Sequence, residues 1–224
     1  MSPHGSEAVF QLLSNVTDTQ RKTINMLSLF VLSLVAAASA GVVHDGKCPE
    51  LKAVENFNLT GYVGTWYEIS KFATPDEKNG KCAAAEYNLD GEAVKVKNTH
   101  VVDGVQVYIE GSAKLAPDAN KAAKLLVSLN VGEVPRETPL SVVATDYEHY
   151  AIAYNCKFDE AKKSHSDSLW VLSRTKRLEG AAKTAVEDFF KANKELDATK
   201  LIETDFSEDA CKFTQSKPWA PVKA

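Results

Sequence analysis

The sequence predicts an all-β protein: an eight-stranded antiparallel up-and-down β-barrel with one C-terminal α-helix packed on its outside. Three observations carry this. Between Tyr62 and Arg174 the chain falls into short alternating runs separated by turn residues, the rhythm of an antiparallel meander. One stretch of helical periodicity follows them. The last of the runs is apolar on both faces, so it must be covered twice, and a closed barrel with a helix outside does this while removing exposed strand edges.

The runs, in order, are 62–72, 83–90, 93–102, 105–115, 122–131, 139–147, 150–158 and 167–174. Asp90-Gly91, Asp103-Gly104, Ala116-Pro117-Asp118 and Gly132-Glu133 separate several of them, as hairpin and loop chemistry requires. In the last run Ser168, Trp170, Leu172 and Arg174 share one face, while Leu169 and Val171 share the other. The segment 180–196 places Ala182, Ala185, Val186 and Phe189 at helical spacing, which predicts an amphipathic helix of three to four turns.

The chain has 224 residues. Its run LSLFVLSLVAAASA (27–40), preceded by Arg21 and Lys22 and closed by Ala38, Ser39 and Ala40, has the layout of a secretory signal cleaved before Gly41. It is too short to span a bilayer. Met26 stands directly before it, so a start there would make residues 1–25 an upstream extension. The expected mature protein is therefore residues 41–224, a single secreted domain. A net charge of −4 with no basic block argues against nucleic acid and anionic membranes as partners.

Cys48, Cys82, Cys156 and Cys211 all follow the expected cleavage point. An even number in a secreted chain predicts two disulfides, and three pairings are open. No CxxC and no histidine pair close in sequence accompanies them, so no metal site is expected. Asn58-Leu59-Thr60 is a candidate glycosylation sequon; Asn15-Val16-Thr17 also matches but lies in the segment to be removed.

The functional question is posed by VKVKNTHVV, 94–102. Alternation puts Val94, Val96, Asn98, His100 and Val102 on one face and Lys95, Lys97 and Thr99 on the other. The lysines mark the second face as wet, so an amide and an imidazole point inward, where an unpartnered polar group costs roughly 2–7 kcal/mol. Inward positions elsewhere are Val105, Val107 and Ile109, then Leu125, Val127, Leu129 and Val131, then Ala151 and Ala153. Eight strands enclose room for side chains or for one small ligand. A wall with so many small residues leaves a cavity.

Gly64-Thr65-Trp66 at the head of the first strand, Thr145-Asp146-Tyr147 between the sixth and seventh, and Arg174 at the end of the eighth resemble the three signatures of the lipocalin family. Their expected role is structural, with the Arg174 guanidinium stacked on the Trp66 indole and donating to carbonyls of the turn before the first strand. Longer segments, 44–52, 79–87, 94–105, 150–174 and 205–211, resemble the insect bilin-binding members of that family. The resemblance implies disulfides Cys48–Cys156 and Cys82–Cys211. It also implies a non-covalent biliverdin ligand, with Glu68, Asn98, His100, Ile109, Leu129, Val131, Asn155, Ser166 and Ser168 at pocket positions. Val107 joins them by alternation, and Trp170 is core or pocket floor. Glu68 either accepts from pyrrole nitrogens or pairs with a neighbouring cation. Lys71, Arg136 and Lys157 lie near the expected mouth as solvated charges or propionate partners.

A few lipocalins are enzymes through a free barrel cysteine, but four paired cysteines leave no thiolate. His165-Ser166-Asp167 is no catalytic triad, because adjacent strand residues face opposite ways. The reading is a secreted carrier in a haemolymph-type fluid, not an enzyme. A retinoid, carotenoid or fatty acid is the alternative cargo, and the number of chains in the assembly, a homo-oligomer included, is left open.

Overall fold

The computed structural model describes residues 42–72, 80–131 and 134–219. The expected signal and extension 1–40, Met26, the sequon at Asn15 and the turn Gly132-Glu133 lie outside the described residues. The elements, in chain order, are β1 (Val42–Asp45), α1 (Leu59–Tyr62), β2 (Gly64–Phe72), β3 (Lys81–Asp90), β4 (Ala93–Val102), β5 (Val105–Leu115), β6 (Lys124–Val131), β7 (Val134–Thr145), β8 (Tyr150–Asp159), β9 (Ser164–Ser173), α2 (Gly180–Ala192), β10 (Leu201–Glu203) and β11 (Gln215–Pro218). From β2 to β9 each strand pairs antiparallel with the next, and β9 returns to β2. This is the predicted eight-stranded barrel. The three short strands lie beyond this closed ring: β1 on β9, β10 on β2, and β11 parallel to β5. No helix among the described residues is long and apolar enough to cross a membrane.

Two differences from the sequence expectation have local causes. The helix ends at Ala192 rather than 196 because the Asn193 side chain and backbone both donate to the Phe189 carbonyl, closing the last turn. Strand β7 begins at Val134 rather than 139, in spite of Pro135 and Pro139. Both prolines pair with β6, but β8 pairs only with residues 141–145 of β7. They thus occupy a stretch whose second edge carries no ladder, where a missing N–H is tolerated.

The barrel is closed at the end where β2 begins and β9 finishes. Arg174 lies over the Trp66 ring, 3.6 Å from its centroid, with Nε donating to the Tyr147 carbonyl at 3.1 Å and Nη1 to that of Thr65 at 2.9 Å. Nη2 donates to the carbonyls of Gly61 and Tyr62. Trp66 is fully buried, and its indole N–H donates to Tyr62 O at 2.8 Å. Gly64 has φ +99° with the guanidinium 3.3 Å from where a Cβ would stand, so it has both the backbone freedom and the space that the plug requires. The Thr145-Asp146-Tyr147 turn supplies the other wall. Thr145 Oγ1 donates to Tyr150 O and accepts from Tyr147 N, while one Asp146 carboxylate oxygen accepts from three successive N–H groups, Glu148 to Tyr150. Partial burial pushes the Asp146 carboxyl up, but these bonds and the His149 ring outweigh it and hold it below its ordinary value.

Outside the wall, Phe72, Ile152, Tyr154, Leu169 and Val171 form an apolar layer with Val186 of α2, flanked by Phe189, Phe190 and Leu178. The odd residues of β9 therefore face the helix, as the two-sided pattern required. Cys48–Cys156 and Cys82–Cys211 are bonded, with Cα separations of 5.9 and 5.2 Å. They tie the N-terminal arm to β8 and the C-terminal arm to β3, as the resemblance implied. Asn58 is exposed, and its side-chain oxygen caps α1 by accepting from Gly61 N.

The fork and the stack at Arg174 are separable from its charge. Arg174→Lys keeps a cation but loses both, and should lower stability by about 2–4 kcal/mol, seen as a fall in Tm of roughly 4–16 °C. An unchanged Tm would show that the plug is incidental to closure.

Candidate ligand-binding site

The inner faces of the strands enclose a cavity of about 270 Å³, measured to the centres of water-sized spheres. One water needs roughly 10–15 Å³ on that measure, so the space suits a ligand of many atoms rather than a trapped solvent molecule. The wall is mostly apolar: Val94 and Val96 of β4, Ala113 of β5, Leu125, Val127 and Leu129 of β6, Leu140 of β7, Ala153 of β8, and Trp170 and Leu172 of β9. Gly111, level with Val96 and Leu129 of the wall, keeps β5 and β6 in close approach, since a Cβ there would fall 2.0 Å from Ser128 O.

Of the residues singled out from sequence, Glu68, Asn98, His100, Leu129 and Trp170 line this cavity. Trp170 also packs against the buried cluster around Trp66, so it is both core and floor. Val107 and Ile109 share the inward face of β5 with Ala113, opposite His100 and Asn98 in the register. Asn155 and Ser168 face each other across β8 and β9; with Ser166 they continue the face of Ala153 and Trp170 toward the open end. These five are not part of the cavity wall itself. The side chain of Val131 lies outside the described residues.

The polar groups are few and placed. Asn98 Oδ1 is buried and accepts no hydrogen bond among the described residues. Lys71 Nζ lies 2.7 Å from Glu68 Oε1, and the two side chains are only 5% and 14% exposed. Thr204 Oγ1 donates to the same carboxylate oxygen at 3.4 Å. Glu68 thus takes the cation-pairing role, and Lys71 is a buried wall residue rather than a solvated charge at the mouth. Its position follows from a bulge. Strict alternation from Trp66 and Glu68 would send Ser70 and Phe72 inward, but the register with β9 shifts between Glu68 and Ser70. Lys71 then faces the cavity, and Phe72 joins the outer layer. Arg136 and Lys157, by contrast, are exposed.

Sequence reasoning passed over Tyr62 and Tyr87, which line the closed end with their rings stacked 5.7 Å apart. Burial, with the Glu68 carboxylate second, pushes the Tyr87 phenol up to about 12; burial likewise raises Tyr62. Both stay neutral and present polarisable faces to the interior. Tyr87 was readable from its alternation with Ala83 and Ala85; Tyr62 opens the expected run 62–72, but the structure places it at the end of α1 rather than in a strand.

A buttressed closed end, an eight-stranded meander and an apolar interior with a few fixed polar groups define a carrier of small molecules of the lipocalin type. Residues 63–208 match the lipocalin / cytosolic fatty-acid binding protein family, and the chain belongs to it. It is 49% identical over 187 residues to the bilin-binding protein of Pieris brassicae, covering 84% of this chain and 98% of that one. It is 42% identical over 190 residues to insecticyanin-B of Manduca sexta, covering 83% and 92%. The solved structure of insecticyanin from the same hornworm superposes with a TM-score of 0.76 at 39% identity, over 80% of this chain and 96% of that chain.

The Glu68–Lys71 pair sets a stability test within the cavity. Lys71→Met removes the cation 2.7 Å from a largely buried carboxylate and should cost about 3–5 kcal/mol by denaturant unfolding. Adding Glu68→Gln should restore most of that loss. If the single variant is as stable as the parent, the pair does not shape the wall.

Proposed function

We propose that this chain is a secreted carrier that holds a bilin, of the biliverdin kind, non-covalently in the barrel. The observation that carries the reading is the Asn98 side-chain oxygen, buried in a mostly apolar wall with no hydrogen-bond donor among the described residues. An unmet buried acceptor costs about 1–3 kcal/mol, and an apolar cargo such as a fatty acid or carotenoid would do nothing to relieve it. A linear tetrapyrrole supplies pyrrole and lactam N–H donors on a broad conjugated face. Stacked Tyr62 and Tyr87 and the Trp170 ring offer flat apolar surface to the same face. The likeness to a protein named for bilin binding, over most of both chains, points the same way.

Magnitudes are consistent with this division of labour. Burying roughly 400 Å² of apolar ligand surface contributes about 10 kcal/mol, against an association cost of about 4–15 kcal/mol. Burial alone leaves little net affinity, so the placed polar groups and a rigid wall decide it. All four cysteines are bridged, which removes the free thiolate that an enzyme of this fold would use. The secretory layout of 27–40 and the two disulfides support an extracellular, haemolymph-type setting. Residues Val107, Ile109, Asn155, Ser166 and Ser168 are assigned to the upper part of the pocket on their inward faces, and Val131 on its position in β6.

The double variant Asn98→Leu, His100→Val tests the polar wall. Titrated with biliverdin and followed by quenching of protein fluorescence, it should fold as the parent does but bind roughly 5–30-fold more weakly, as the loss of one or two ligand hydrogen bonds predicts. Unchanged affinity would remove Asn98 and His100 from the site. Protein taken from its native fluid should show red and near-ultraviolet absorption bands together, and a colourless preparation would favour another cargo.

A further inference from the structure

The C-terminal segment adds a piece of wall that the eight-stranded ring lacks. Strand β4 pairs with β5 from Val105 to Ala113, so one edge of β5 is filled. On the other edge β6 pairs only with Gly111–Leu115, which would leave the mouth-side half of that edge open. Strand β11 takes it, running parallel to β5 with Gln215 to Pro218 level with Val105 to Tyr108. The ladder continues at both ends: Thr214 N donates to Gly104 O at 3.1 Å and Trp219 N to Tyr108 O at 2.7 Å. The open edge at the rim is thereby covered, and the wall on that side reaches further toward the solvent.

The register sorts the tail's side chains between the two faces of the sheet, since partners in a ladder share a face. Ser216 Oγ donates to Gln106 Oε1 at 3.1 Å, and Gln106 stands on the outer side of β5 opposite Val101. Ser216 and Pro218 therefore face out. Lys217 shares the inward face with Val107, in one row with His100. Trp219, one position beyond the strand, falls level with Ile109, in the row of Asn98. It is half-buried, although the four residues before it are exposed. Each of the two stands two strand spacings, about 10 Å, from its polar counterpart on β4.

We infer that Lys217 and Trp219 belong to the ligand site, where Trp219 offers an indole face to a conjugated cargo and Lys217 an ammonium to its carboxylates. The inference rests on the bilin reading and adds to it what meets the outer end of the pigment. Asn98 Oδ1, buried with no donor among the described residues, marks the inner end of the same row. Lys71 is already engaged there by Glu68, at 2.7 Å. A cation at the solvated rim can pair with a carboxylate without the desolvation cost of a buried pair, and its contribution is correspondingly modest. The aromatic face contributes more. Sequence alone does not reveal these positions, because only the pairing of β11 with β5 brings the tail to the mouth.

The test is titration of the disulfide-intact chain with biliverdin and with its dimethyl ester, followed by the red absorption band. Trp219→Ala should weaken both about 3–10-fold, and Trp219→Phe should recover most of that loss. Lys217→Gln should weaken biliverdin about 2–5-fold and leave the ester unchanged. Lys95→Gln, a loss of charge on the outer face of β4, should change neither. If Trp219→Ala binds both pigments as the parent does, the inference is overturned while the bilin reading stands. If Lys217→Gln weakens acid and ester alike, or neither, its carboxylate role is overturned. A parent chain that binds neither pigment would overturn the bilin reading and this inference together.

Discussion

The stack of Arg174 on Trp66 is the constraint on which the rest of the molecule depends. A β-barrel open at both ends would let water through its interior and leave a ligand exposed to solvent on two sides, which forfeits part of the apolar surface that burial could remove from water. Here one planar cation covers the indole and satisfies four carbonyls, from Gly61, Tyr62, Thr65 and Tyr147. Those groups come from two separate stretches of chain, 61–65 and the turn at Tyr147, so the same side chain that seals the floor also fixes where β2 begins and where the β7–β8 turn lies. Closure at one end leaves the other to admit cargo.

With the floor sealed, the wall decides what is held. Alanine at 83, 84, 85, 113 and 153 and valine at 94, 96 and 127 are too small to meet in the middle of eight strands, and the hollow follows from their volume. Its chemistry is set by a handful of positions: an unpaired amide oxygen at Asn98, an ion pair at Glu68 and Lys71, and two neutral phenols at the closed end. The outer layer does different work. Phe72, Leu169 and Val171 anchor α2, and the two disulfides hold the arms that run across the outside, so the interior need not supply all the packing itself.

Much of this was legible in the chain because β-structure writes its faces with a period of two. Alternation placed Asn98 and His100 inside and Lys95 outside, and the doubly apolar run 167–174 required both a cavity face and a helix face. What escaped were features that break the period or join distant segments. The bulge between Glu68 and Ser70 turned Lys71 inward, and no composition signal marks a bulge without glycine. Pro135 and Pro139 hid the first half of β7, because their tolerance depends on an edge that β8 leaves unpaired. The short strands β1, β10 and β11 carry too few residues to show a pattern, yet β11 alone brings Lys217 into the row of His100.

The central claim is that a plugged barrel with a polar spot in an apolar wall fixes one flexible, conjugated molecule in one shape. Visible circular dichroism during titration with biliverdin measures that directly, since the free pigment interconverts between mirror-related helical twists and the barrel is chiral. The account predicts a strong induced signal in the red band that saturates at one pigment per chain. A signal that never appears, or that rises without saturation, would contradict it.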